Sequence, residues 1–262
     1  MLKYIKKNIM ELNYKIEGKG KKIILLHGWS KNAGLDSFDK LTKELLKHNF
    51  QVIRIDLPGF GKSPSPKSNW DIKNYAKETT RLLKKLKIKN NDYILLGHSF
   101  GGSVSAFIVA NLNPKPKLLF LISSAGIRDK SLKIRLIYIM SRIIKIPLNL
   151  LPTKISFFIK KLIYFYILKE RDYIESQENG QKEQYLKIIN QDLSSIFKKI
   201  QIKTILIYGK NDTYTPIKHA QRINKLIKDS ELKVIKKAKH GIIKTHTTEL
   251  VKIIKNFSKK YA

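Results

Sequence analysis

The 262-residue sequence contains no cysteine. Disulfide frameworks, thiolate nucleophiles and cysteine-based zinc sites are thereby excluded, and nothing in the composition calls for an oxidising compartment. Negative charge is scarce: 20 Asp and Glu stand against 53 Lys and Arg, a formal net charge of +33. Long hydrophobic runs are absent too. The most apolar region, Leu132 to Leu168, is interrupted by Arg135, Arg142, Lys145, Pro147, Pro152, Lys154, Lys160 and Lys161. No run in it approaches the ~20 residues that a membrane-spanning helix needs. The basic N-terminal stretch lacks the apolar segment and small-residue cleavage site of a secretory signal, so a cytoplasmic location is expected.

Arginine is nearly missing from the basic set, being confined to positions 54, 81, 128, 135, 142, 171 and 222. Lys, Ile and Asn, which are abundant, all have A/T-rich codons, and a nucleotide bias spreads Lys over every solvated face. A dedicated nucleic-acid surface concentrates its charge and favours the planar Arg fork. No specific nucleic-acid partner is therefore expected, and association with an anionic membrane surface ranks below simple composition bias.

With 42% hydrophobic residues, a chain of this length buries a sizeable core as one domain. Strand-length apolar runs alternate with amphipathic stretches, the pattern of a mainly parallel sheet covered by helices. Strands are expected at Ile9 to Ile16, Lys22 to Leu26, Val52 to Ile55, Tyr93 to Leu96, Leu118 to Ile122, Thr204 to Tyr208 and Leu232 to Ile235. Helices are expected at Phe38 to His48, Ile72 to Leu86, Ser103 to Leu112, Ile217 to Leu226 and Thr248 to Phe257. The fold class is α/β, a mostly parallel twisted sheet with helices on both faces.

The alternation breaks after residue 126, and about 75 residues pass before the next strand, far more than an ordinary connection. Residues 127–203 read as an inserted helical cap, and residues 1–126 and 204–262 as the core. Phe157, Phe158, Tyr164, Phe165 and Tyr166 in the cap either roof the site or pack onto the main domain, and packing is the commoner use of such stripes.

The chemical signal is Gly97-His98-Ser99-Phe100-Gly101, a GxSxG pattern directly after an apolar strand and directly before a small-residue helix. A serine on so sharp a turn has its hydroxyl held out at the sheet edge, and the flanking glycines remove side chains that would collide. The Phe100 N–H, at the helix N-terminus, can stabilise an oxyanion. A second donor is the Trp29 N–H in Leu25-Leu26-His27-Gly28-Trp29, so the two loops are expected to face each other. A serine hydroxyl needs a base. His240, after the last strand, supplies it, and Asp212, after the preceding strand, orients that histidine, giving the chain order Ser, Asp, His.

Five ordered motifs cover nearly the whole length: LLHGW at 25–29, DLPGFGKS at 56–63, GHSFGG at 97–102, GKNDTYTP at 209–216 and KAKHG at 237–241. Through them the chain resembles the α/β-hydrolase-fold family, in its group of small, helical-capped serine hydrolases. The resemblance implies Ser99 as nucleophile, His240 as general base, Asp212 as its orienting acid, and the Trp29 and Phe100 amides as oxyanion hole. One departure from the family pattern is Lys239, where glycine commonly precedes the histidine, and it leaves His246 as a rival base.

The remaining polar residues receive blander readings. Asp56 is a turn former rather than a second acid. His27 and His98 make supporting hydrogen bonds. The loop around Gly59 and Gly61 lacks the GxxxxGK[ST] spacing of a phosphate-binding loop. Arg128 and Arg171 either pair with a substrate carboxylate or sit on the solvated surface.

The expected activity is hydrolysis of an ester, thioester or related carbonyl compound through an acyl-enzyme, without cofactor or metal, on a small-molecule substrate with an apolar portion. The alternatives are carbon–carbon bond hydrolysis of a diketone acid and a non-catalytic binding module. Ser rather than Asp at position 99 disfavours epoxide and haloalkane chemistry. A monomer or dimer is expected.

Overall fold

The computed structural model describes residues 10–128 and 181–262, with isolated positions 152, 155, 156 and 159 between them. Most of the expected cap, including Phe157, Phe158, Tyr164, Phe165, Tyr166 and Arg171, and the expected spanning-free region Leu132 to Leu168 lie largely or wholly outside the described residues.

Among the described residues, seven strands form one sheet: β1 (Tyr14–Glu17), β2 (Lys21–Leu26), β3 (Phe50–Ile55), β4 (Tyr93–His98), β5 (Leu118–Ile122), β6 (Thr204–Gly209) and β7 (Ser230–Ile235). The spatial order is β1-β3-β2-β4-β5-β6-β7. Strand β1 runs antiparallel to β3, and every other pair is parallel. The expected α/β class and mostly parallel sheet are present. The two opening strands do not pair with each other, because β3 is inserted between them.

Helices delimited among the described residues are α1 (Asp39–Leu46), α2 (Ile72–Lys85), α3 (Phe100–Asn111), α4 (Lys182–Ile189), α5 (Ser194–Phe197), α6 (Ile217–Leu226), α7 (Ile242–Thr245) and α8 (Thr247–Tyr261). Because strand side chains alternate between faces, each strand feeds two cores. Ile24, Leu26, Leu95, Leu119 and Leu206 pack in the layer shared with α2, α3 and α6. Ile23, Leu25, Ile94, Leu96 and Ile205 pack in the layer shared with α1 and α8. The run Leu118–Ile122 is buried at every position, which explains why it reads as unbroken hydrophobic sequence.

Local chemistry sets the ends. Helix α2 starts at Asp71, whose carboxylate accepts the Asn74 N–H at 2.9 Å while the Asn74 side chain accepts the Asp71 N–H at 3.2 Å. This reciprocal box satisfies two donors that the first helical turn leaves without partners. At the sheet edge the buried Arg54 donates to Glu17 at 2.5 Å, to the Leu35 carbonyl at 2.9 Å and to Asp39, fastening β1 and α1 to β3.

The register brings the functional loops together. Gly97 stands beside Leu26 on one side and Leu121 on the other, and Ile122 stands beside Ile207. The loops leaving β2, β4, β5 and β6 therefore emerge at one carboxyl edge of the sheet, the usual place for a site in an open parallel sheet. No helix among the described residues is long and apolar enough to cross a membrane.

Candidate active site

Ser99 sits between β4 and α3 with φ 53° and ψ −113°, a conformation that L-residues rarely adopt. Its N–H donates to the Ile122 carbonyl at 2.9 Å, and its own carbonyl accepts the Ala125 N–H at 3.1 Å, so β5 and its loop hold the strained turn. The bend also needs Gly101. A Cβ there would lie 2.1 Å from the Leu26 carbonyl oxygen and 2.6 Å from that of His27. Helix α3 thus begins in contact with the end of β2, and Phe100 heads it, where an N–H has no acceptor within the helix.

The loop after β2 lies against the same turn. A Cβ on Gly28 would be 3.2 Å from the Ser99 Cβ and 3.0 Å from the His98 Nδ1. The two loops face each other, as the sequence spacing requires. His27 fixes the approach: its Nδ1 is 2.8 Å from the Gly28 carbonyl, and its Nε2 is 3.0 Å from the Leu57 N–H. Full burial holds its pKa below the ordinary imidazole range. It is therefore neutral, with the proton on Nδ1 donated to Gly28 and the Nε2 lone pair accepting from Leu57.

Around this loop the Trp29 ring packs edge-on against Phe60 at 4.8 Å and Phe100 at 5.3 Å, and against Tyr185 of α4 at 5.6 Å. Tyr185 lies in α4, between β5 and β6 in the chain. Helix α4 is tied down by Gln184, which accepts the Trp70 N–H and donates to the Trp70 carbonyl, each at 2.6 Å.

Asp212 and His240 lie on the loops after β6 and β7. His240 Nδ1 is 2.8 Å from Asp212 Oδ2. The Asp212 side chain is fully buried, whereas the His240 side chain keeps 21% exposure, open enough to meet a substrate. The carboxylate is saturated: Oδ1 accepts the N–H groups of Tyr214 and Thr215, each at 2.9 Å, and Oδ2 also accepts the Thr215 hydroxyl at 2.8 Å. Burial alone would raise the Asp212 pKa. The hydrogen bond and charge of His240, with the two donors of Thr215, outweigh it and hold the carboxyl below its ordinary value.

His98 joins the serine turn to the histidine loop. Its Nε2 is 3.1 Å from the His240 carbonyl. Burial, reinforced by the charge of His240 when protonated, pushes its pKa down to about 3, so the neutral ring donates Nε2–H to that carbonyl. Tyr214 lies over the other side, its ring centroid 5.1 Å from that of His240.

The structure thus gathers Ser99, Trp29, Phe100, Asp212 and His240 at one edge of the sheet. The rival His246 is placed elsewhere in the chain's contacts, its Nδ1 2.9 Å from the Thr245 hydroxyl, while Asp212 faces His240. Lys239 is exposed and does not adopt a positive φ, so its backbone conformation does not call for glycine. Asp56 is a turn former: it accepts from the Leu35 N–H at 2.6 Å, the Lys62 N–H at 2.9 Å and Asn13 at 2.6 Å. Arg128 donates to the Asn190 carbonyl at 3.1 Å, on the exposed surface. Thr215, Tyr214 and Tyr185 are additions that the sequence reading did not single out. The Asp-x-x-Thr spacing was the available signal for Thr215, since it forms a hydrogen-bonded turn. Among the described residues, no three His, Asp or Glu are grouped so as to hold a metal ion.

Comparison with known proteins bears on the family and the fold. A family model described as serine aminopeptidase, S33, matches residues 19–246. An AB hydrolase superfamily protein of Bacillus subtilis (strain 168) is 27% identical over 256 residues, covering 92% of each chain. An esterase from Exiguobacterium antarcticum superposes with a TM-score of 0.72 at 20% identity, over 95% of this chain and 96% of the other. A meta-cleavage product hydrolase from Pseudomonas fluorescens IP01 superposes with a TM-score of 0.70 at 18% identity, over 95% and 94%. These two likenesses show the fold.

Proposed function

Since the chain belongs to the serine aminopeptidase (S33) family and is an α/β-hydrolase, we propose that it cleaves a carboxylic ester or thioester through a covalent acyl-enzyme on Ser99. The observation that carries this reading is the 2.8 Å contact of His240 Nδ1 with the buried Asp212 carboxylate, joined through His98 to the strained Ser99 turn.

In this mechanism the contact with Asp212 keeps the Nδ1 proton in place and leaves the Nε2 lone pair of His240 for the Ser99 hydroxyl. As Oγ attacks the carbonyl carbon, Nε2 takes its proton, and the carbonyl oxygen becomes an oxyanion facing the Trp29 and Phe100 amides. The positive end of α3 and these fixed donors stabilise that charge without reorganisation. The tetrahedral adduct then expels the leaving alkoxide or thiolate, which receives the proton from His240. A water, deprotonated by the same Nε2, attacks the acyl carbon, and the carboxylic acid leaves with Ser99 restored. No cofactor enters these steps.

The rings of Trp29, Phe60, Phe100 and Tyr185 beside the proposed oxyanion hole support an apolar acyl portion in the substrate. Helix α4, which lies within the 127–203 segment expected as a cap, is clamped to Trp70.

The test is rapid-mixing hydrolysis of p-nitrophenyl acetate, butyrate and octanoate, alongside a 2-hydroxy-6-oxo-dienoate. A stoichiometric nitrophenolate burst that Ser99→Ala abolishes supports the proposal. Turnover of the dienoate with inert esters reassigns the reaction to carbon–carbon hydrolysis, and an unchanged burst in Ser99→Ala refutes the nucleophile.

A further inference from the structure

The triad has a fourth polar group built into it. The Thr215 hydroxyl oxygen is 2.8 Å from Asp212 Oδ2 and 3.3 Å from His240 Nδ1, and these two atoms are 2.8 Å from each other. The three form a closed triangle, and Thr215 is buried. Its hydroxyl has one further neighbour, the Ser123 carbonyl at 3.2 Å.

The turn itself does not need this hydroxyl. The Thr215 N–H already bonds Asp212 Oδ1 at 2.9 Å, as any non-proline residue at this position could. What the hydroxyl adds falls on Oδ2, the same oxygen that His240 uses. A hydroxyl has one proton to give, and the carboxylate oxygen is both the nearer acceptor and the charged one, so the proton goes to Oδ2. The hydroxyl lone pairs are then turned toward the side from which the Nδ1–H of His240 arrives.

Two consequences follow for a catalytic histidine. A second donor on Oδ2 fixes the plane of the carboxylate, so the imidazole has one bonded orientation. It also lowers the basicity of Oδ2, so the Nδ1 proton remains on the ring when His240 is doubly protonated. We propose that Thr215 is a positioning residue of the triad, acting on His240 through the shared Asp212 oxygen. This rests on the reading of His240 as the general base.

The titratable groups that face this triangle are Asp212 and His240 themselves, His98 of β4, Tyr208 of β6 and Tyr214. The Tyr208 hydroxyl donates to the Ser124 carbonyl at 2.8 Å, and burial first, with the Asp212 charge, raises its pKa, so it stays neutral. His98 is neutral as well, its pKa held near about 3 by burial.

Thr215→Val keeps the shape and removes the hydroxyl, and Thr215→Ser keeps the hydroxyl and removes the methyl. Both are measured for kcat and KM on p-nitrophenyl butyrate across pH, and for the downfield Nδ1 proton resonance of His240 by NMR. Thr215→Val should lower kcat roughly tenfold, the size expected for losing one hydrogen bond to a charged group. KM should stay within about twofold. The acidic limb of kcat/KM should move to higher pH, the Nδ1 resonance should move downfield, and Thr215→Ser should restore all three. A folded Thr215→Val with the wild-type limb and resonance overturns the proposal, as does a Thr215→Ser variant that fails equally, which would assign the effect to methyl packing. The NMR readout needs no turnover. If no ester is hydrolysed, a shifted resonance still supports the Thr215 coupling while the proposed reaction fails separately.

Discussion

The Nδ1 of His240 and the Oδ2 of Asp212 stand 2.8 Å apart, between a half-open imidazole and a carboxylate with no solvent contact. Such a pair fixes the histidine tautomer, because the carboxylate can only accept. Asp212→Asn can present an amide N–H to His240 Nδ1 where the carboxylate oxygen accepted, and so permits the wrong tautomer. The expected loss in kcat is on the order of 10⁴-fold, with the protein still folded. Circular dichroism and ester turnover measured on the same sample check this.

The same carboxylate gives a pH dependence with a definite sign. Asp212 is held below its ordinary value of 3.8, so the native state binds fewer protons than the unfolded chain as the pH falls toward that value. Its stabilising contribution is full above about pH 4 and is lost as pH drops through the folded value. Urea midpoints between pH 2.5 and 5.5, chosen as roughly the range spanning this titration, should be flatter for Asp212→Asn than for the wild type.

A second pH effect comes from His98, whose pKa falls from 6.5 to about 3 through burial. The unfolded chain takes up a proton below 6.5 that the native state refuses until about 3, so stability rises with pH throughout that window. His27, fully buried and shifted in the same direction, adds to it. His98→Asn should flatten the slope of unfolding free energy between pH 4 and 6.5, roughly the window of imidazole protonation. An unchanged slope would contradict the neutral, donating His98.

Two glycines separate packing from composition. A Cβ at Gly101 meets the Leu26 carbonyl oxygen at 2.1 Å, whereas a Cβ at Gly241 meets nothing within 4 Å. Gly101→Ala should destabilise by about 3 kcal/mol or more, since rigid backbone cannot yield as a side chain does. Gly241→Ala should stay within about 0.5 kcal/mol of wild type. Denaturant unfolding of both variants distinguishes the two environments.

Much of this arrangement was legible in the sequence for physical reasons. The run Leu118–Ile122 had to be a central strand, because a segment apolar at every position fits only where both faces are covered. The placement of Ser99 on a strand-to-helix turn was legible because GxSxG stood between a strand and a helix, and the placement of Asp212 and His240 at the same sheet edge because each followed a strand. What remained hidden depended on long-range contact. Helix α3 starts at Phe100 rather than at the expected Ser103, since the low helix propensity of Gly101 and Gly102 is overridden by the close approach of α3 to Leu26 and Ser124. Strand β1 joins β3 rather than β2, a choice absent from local periodicity. The role of Thr215 required seeing its hydroxyl beside Asp212 and His240.

The central claim is that Ser99 is a nucleophile activated by His240. Intact-mass analysis and peptide mapping of the protein treated with a fluorophosphonate test it most directly, using wild type, Ser99→Ala, His240→Ala and His246→Ala. The account predicts one adduct per chain, located on Ser99, absent from Ser99→Ala, strongly slowed in His240→Ala and retained in His246→Ala. A folded wild-type protein that stays unlabelled, or an adduct that survives Ser99→Ala, would contradict it.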